Sequence, residues 1–178
     1  MIIAHLPAGY VISRLLVRHA ERLGVPATAF LWAGVIGAIA PDLDMFYFHL
    51  VDHRQHHHHT YFTHYPVLWL VLLVASAVWF YSARTKNHAA CAAIFSLNGL
   101  AHMFFDTIVG DIWWFAPWGN EPFAFFTVPA LYKPWWLNFI LHWSFALELA
   151  ILAWAIYLWR KLRHAKLTLS ASNDAAAP

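Results

Sequence analysis

Charged side chains are scarce in this 178-residue chain, at 11% against roughly 25% in ordinary globular proteins. Those present nearly cancel, leaving a formal charge of +2, too little for a surface built to grip nucleic acid. Cysteine is reduced to Cys91, so no intrachain disulfide staples the fold. The start lacks a basic segment leading into an apolar core with a cleavage site, and the first residues are expected to belong to the mature protein. No internal repeat is present. What fills the chain instead is apolar: 61% hydrophobic residues, 11 Trp and 7 Tyr. A soluble domain of this length has too little interior to hide that surface, whereas lipid accepts it, and Trp and Tyr concentrate at the membrane–water boundary. The composition reads as an all-α integral membrane bundle of about four to five apolar helices. One domain is expected over residues 1–165, with a disordered tail at 166–178.

Along the chain, Met1 to Val17 is apolar, with Arg14 and Arg18 at i, i+4 on one helical face. Glu21, Arg22, Gly24 and Pro26 mark a turn. Ala27 to Ala40 forms a second helix, where Gly34 and Gly37 permit close helix contact and Pro41 enforces a stop. Both are short for a full span of about 20 residues. Pro66 to Ala83 and His88 to about Gly110 are further helices. Residues 112–136 read as an interfacial loop rich in Trp and Phe and broken by Pro117, Pro122, Pro129 and Pro134. Leu137 to Trp159 reads as the clearest transmembrane helix, with His142 and Glu148 its notable polar residues.

Nine of the eleven Lys and Arg residues (Arg14, Arg18, Arg22, Arg84, Lys86, Arg160, Lys161, Arg163 and Lys166) fall at alternate helix ends. The positive-inside rule puts those ends, and the C-terminus, in the cytoplasm. The opposite, extracytoplasmic ends then hold His5, Asp42, Asp44, a histidine-rich stretch, His102, Asp106 and the aromatic loop. Six of the thirteen histidines lie between His53 and His64, and imidazole with carboxylate is the usual ligand set of a zinc ion.

His102 and Asp106 share one helical face at i, i+4 and can reach one ion or two adjacent ones. As an intramembrane pair they are costly enough to suggest function, although a packing pair is the plain alternative. Asp42 and Asp44, after a proline, can direct two carboxylates into one site or cap the next segment. His59 and His64 are the preferred pair in the histidine run, with Thr60 and Thr63 as hydrogen-bonding support. His53, His56, His57 and His58 are supporting, extra metal or solvated residues. Glu148 is a candidate general base, a support to a ligand, or a buried helix contact. His5 alone is more often a packed residue. Arg54 and Lys133 are the basic residues left on the site side, where either can meet a substrate oxygen.

In order, an early His5, Pro41-Asp-Leu-Asp44, Thr63-His64 with His59 five residues before, and His102-x-x-x-Asp106 resemble the YdjM-like family of membrane-bound metal-dependent hydrolases. That family is also described as LexA-binding and inner-membrane-associated. The resemblance covers about residues 1–120 and, more loosely, the last helix. Its usual His-Arg-Gly-x-Thr-His-Ser is altered here: Thr60 stands for the Arg and Tyr65 for the Ser. The order is also similar to the helical zinc-dependent phospholipase C and single-strand nuclease superfamily. That similarity implies His5, Asp42 or Asp44, His64, His102 and Asp106 as ligands. The later His-x-x-x-Glu of those enzymes is not kept, since Ala146 follows His142 at that spacing.

The resulting expectation is a multi-pass inner-membrane hydrolase with one or two zinc ions at His5, Asp42, Asp44, His59, His64, His102 and Asp106. Asp44 and Glu148 are the candidate catalytic carboxylates. Its partners are the bilayer and a small-molecule or lipid-linked ester, with no nucleic acid. The competing expectation is a metal transporter or sensor that uses the histidine run for capture.

Overall fold

The computed structural model describes Met1 and residues 3–175, with side chains through residue 164. The chain is all-α. Its helices are α1 (His5–Arg22), α2 (Ala27–Ile39), α3 (Asp44–Leu50), α4 (Pro66–Ser82), α5 (Asn87–Asp106), α6 (Trp136–Ile140) and α7 (Ser144–Ala175), with single 3-10 turns at Pro41–Leu43, His58–Thr60 and Phe62–His64. The described residues contain no strand beyond one isolated antiparallel bridge, Ile112 with Phe123.

Local chemistry sets the boundaries. α1 runs past the turn expected at Glu21 and Arg22 and ends in a Schellman motif. There the N–H of Gly24 donates to Glu21 O and that of Val25 to Ala20 O, at 2.9 and 3.0 Å. Gly24 takes φ +78, a conformation that needs no Cβ. Pro26 and Pro66 start α2 and α4 where the missing N–H costs nothing. At Pro41 the chain bends by 54° between α2 and the segment Pro41–Leu50. That bend turns Asp42 and Asp44 toward the ends of α1 and α5.

α5 is the central element, packed against α2, α4 and α1, while α7 lies along α1. Close approach is built into α2. A Cβ on Gly37 would lie 2.2 Å from Phe95 O of α5, so nothing larger than glycine fits the crossing. At one end Val17, Ala20, Val25, Phe30, Ala90 and Ile94 form a dry cluster. At the other end the buried polar residues His5, Asp44, His59, His64, His102 and Asp106 gather beside a second apolar cluster of Trp69, Met103 and Ile112.

The expected span Leu137–Trp159 is corrected by a break between α6 and α7. Polar side chains cause it. The ring of His142 bonds Ser144 Oγ at 2.9 Å, and its carbonyl accepts from Phe145 N at 3.0 Å. Asn138 Oδ1 accepts from Leu131 N and Tyr132 N at 2.8 and 2.7 Å, tying α6 back to the aromatic loop. Among the described residues α5 alone is a single helix long and apolar enough to cross a membrane, and α2 with Pro41–Leu50 passes the same test as a bent pair. α7 continues to Ala175, into the segment expected to be a disordered tail, of which residues 176–178 lie outside the described residues.

Candidate metal centre

Five groups converge on Asp106, at the last turn of α5. Its Oδ1 lies 3.0 Å from His5 Nε2 and bonds the α-amino group of Met1. Its Oδ2 lies 3.0 Å from His102 Nε2, 3.6 Å from His59 Nε2 and 4.0 Å from His64 Nε2. Asp42, half-exposed after the bend, brings Oδ1 to 3.5 Å from His102 Nε2 and 3.7 Å from His64 Nε2. The rings of His5 and His102 stack with centroids 3.6 Å apart and planes 13° from parallel.

The far nitrogen of three of these imidazoles is already committed. His102 Nδ1–H donates to Ala38 O at 2.7 Å, and His59 Nδ1–H to Asp111 O at 2.9 Å. His64 Nδ1–H donates to Asp44 Oδ2 at 2.5 Å, and that carboxylate also accepts from Thr63 Oγ1 at 2.6 Å. A proton on Nδ1 leaves a lone pair on Nε2 in a neutral ring. The Nε2 atoms of His64 and His102 are buried and hydrogen-bonded to nothing, although carboxylate oxygens stand 3.0 to 4.0 Å away. Lone pairs facing carboxylates repel unless a cation or proton lies between them. A tetrahedral zinc ion with bonds of about 2.0–2.1 Å holds its ligand atoms about 3.3 Å apart, so the spacing suits one. A carboxylate on a histidine's outer nitrogen, as Asp44 provides to His64, is the usual support of a metal ligand.

Three groups of donors lie within 4.8 Å of one another: His5, Asp42 and His102; His64, His102 and Asp106; and His58, His59 and His64. Of the residues expected to hold metal, six therefore fall in these groups, and Asp44 sits behind them as the partner of His64. Glu148, buried in α7, accepts from Ile3 N and Ala4 N at 2.6 and 3.1 Å. It thus anchors the start of α1, which carries His5.

The histidine run divides. His56, exposed, pairs with Asp52 at 2.7 Å away from the cluster, and this pairing holds Asp52 down to about 2. His53 and Arg54 form a turn with positive φ, 51 and 65. His57 and His58 line the cavity; burial lowers His57, and burial, then the neighbouring His64, lowers His58 to about 4. Burial holds His59 well below the ordinary imidazole value. All three are neutral, ligand-ready bases at physiological pH. Sequence reasoning missed the carbonyls of Ala38 and Asp111, because backbone acceptors leave no signature in residue identity.

Above the cluster opens a cavity of about 580 Å³. Its lining combines polar residues, Asp42, His57, His58, His59 and Asp106, with apolar ones, Val109, Phe126, Val128, Trp135 and Phe139. The aromatic wall is fixed to the end of α5, since Phe125 N donates to Thr107 O at 2.8 Å, Phe126 N to Ile108 O at 3.1 Å, and Trp114 Nε1 to Thr107 Oγ1 at 2.9 Å.

The model of the YdjM inner membrane protein family matches residues 1–169, and the chain belongs to that family. No curated protein and no solved structure matches it.

Proposed function

We propose that this YdjM-family protein is a membrane-bound metal-dependent hydrolase that holds zinc at the His/Asp cluster and cleaves a phosphoester or other ester in a lipid-linked or amphiphilic substrate. The observation that carries the reading is the pair of buried Nε2 atoms of His64 and His102, which face Asp42 and Asp106 without a hydrogen bond. His5, Asp42, His59, His64, His102 and Asp106 are the candidate ligands. When bound, the ion polarises the ester and acidifies an attacking water toward neutrality.

The chain's own residues do the positioning. Asp44 orients His64, Ala38 O orients His102, and Asp111 O orients His59. Glu148 acts on the site through the backbone ahead of His5. Asp44 and Glu148 are therefore assigned as positioning residues rather than as the base. The cavity's mixed lining suits a substrate with a polar ester and an apolar arm. Exposed Phe115, Trp118 and Trp135 along the loop support a mouth at the lipid surface.

In this reading α1, α2, α4, α5 and α7 form a multi-pass bundle in the inner membrane. The basic ends and the C-terminus are cytoplasmic, and the cluster is extracytoplasmic. Metal transport has weaker support, because below Asn98 and Ser13 the core closes with Val17, Phe30 and Ile94. Detergent-purified protein is expected to carry zinc, and His102→Ala to lose it. In vesicles the wild type is expected to hydrolyse a lipid phosphodiester, with activity abolished by a chelator. Zinc-free wild-type protein sinks the reading.

A further inference from the structure

The histidine run poses a separate problem, because a single ion at the cluster leaves His58 without a role. His58 is half-buried, lines the cavity, and its ring makes no hydrogen bond among the described residues. Its ring centroid lies 4.0 Å from that of His59 and 5.4 Å from that of His64. The donor atoms of these three residues lie within 4.8 Å of one another. The same holds for His5, Asp42 and His102. These two triads share no residue, so both can be filled at once.

We propose that His58, His59 and His64 form a second metal site, distinct from the one at His5, Asp42 and His102. The inference rests on the metal reading above and extends it to a two-ion centre whose two ligand sets differ in chemistry. The second site is all imidazole, a donor set that suits zinc, copper or nickel more than magnesium or calcium. Two of its rings have their outer nitrogen fixed, to Asp111 O and to Asp44, so their Nε2 atoms are the ones presented. Asp106 Oδ2, 3.6 Å from His59 Nε2, adds a neighbouring negative charge.

The turn that carries His58 is built rather than loose. Thr60 N and Thr60 Oγ1 both donate to His57 O, at 2.9 and 2.6 Å, and His59 N donates to His57 Nδ1 at 3.3 Å. His57 thereby supports the turn, and its ring stacks on His58 with centroids 5.2 Å apart. Three imidazoles leave a tetrahedral ion one open position. His58 and His59 both line the cavity, so an ion they held would be within reach of a molecule bound there.

The test is zinc stoichiometry, which does not depend on catalysis. Chelator-stripped full-length protein in detergent micelles is dialysed against Zn2+ alone, and zinc per chain is counted by mass spectrometry. The wild type is expected to hold two equivalents. His58→Ala and His58→Gln are expected to hold one, and His56→Ala, altered in the same run but paired with Asp52, two. Circular dichroism checks that the helices persist, and the glutamine variant guards against a packing defect in the alanine one. One equivalent in the wild type, or two in both His58 variants, overturns this inference and leaves the hydrolase reading standing. Zero equivalents in the wild type overturns both.

Discussion

The two ends of the bundle are made from the same helices and solve opposite problems. At the end of Val17, Phe30 and Ile94, apolar side chains pack on one another in a cluster without a titratable group. At the end of His5, His102 and Asp106, three carboxylates and four imidazoles crowd together with lone pairs that the protein leaves without a donor. The first end is packed for stability, whereas the second carries the unsatisfied polar atoms that functional sites commonly hold. α5 joins them: Ile94 on its dry half and His102 two turns later are parts of one rigid rod.

The sharpest way to break the comparison is Asp106→Ala. Removing the carboxylate on which five groups converge is expected to weaken zinc binding by more than about 1,000-fold, read as zinc per chain after gel filtration, while helix content holds. Wild-type zinc content in that variant would mean that the two ends differ in polarity alone. Ile94→Ala addresses the other end. Emptying this fully packed site is expected to cost about 2 kcal/mol in denaturant unfolding, with zinc content unchanged. If zinc falls instead, stability and binding are not separable along α5.

The smallest effect concerns protons. His58 keeps a lowered value near 4 in the fold, whereas an unfolded imidazole titrates near 6.5. Between those values the unfolded chain binds the extra proton, so stability rises with pH there and falls as pH drops from 6.5 toward 4. His57 and His59, shifted the same way by burial, add to the slope. Metal-free protein is thus expected to melt at progressively lower temperature across that window, and His58→Ala to flatten the curve. An equally steep curve in the variant would place the titration elsewhere.

Much of the polar end is legible in the sequence. His102 and Asp106 declare a shared face by spacing alone, and Pro41 announces the bend that delivers Asp42. The convergence of polar residues at alternate helix ends needs only the helix count. The break ahead of Ser144 was not legible, because it arises from hydrogen bonds of Asn138 and His142 inside a stretch whose hydropathy looks continuous. Nor was the division of the histidine run. Adjacent His57, His58 and His59 have equal propensities, and the backbone turn at Thr60 decides which rings face Asp106 and which face the cavity. His56 falls outside because Asp52, four residues earlier, holds it.

The contact between Glu148 and the amides of Ile3 and Ala4 spans 145 and 144 positions of chain. Such closure is among the last to form in any assembly order, since distant segments must first be brought together at an entropic cost. The ribosome has produced His102 and Asp106 well before it produces Glu148. His5 therefore receives its final anchor only once α7 has been made and docked along α1. The His/Asp cluster is completed late, so in the proposed reading ion loading would report that α7 has been made and docked.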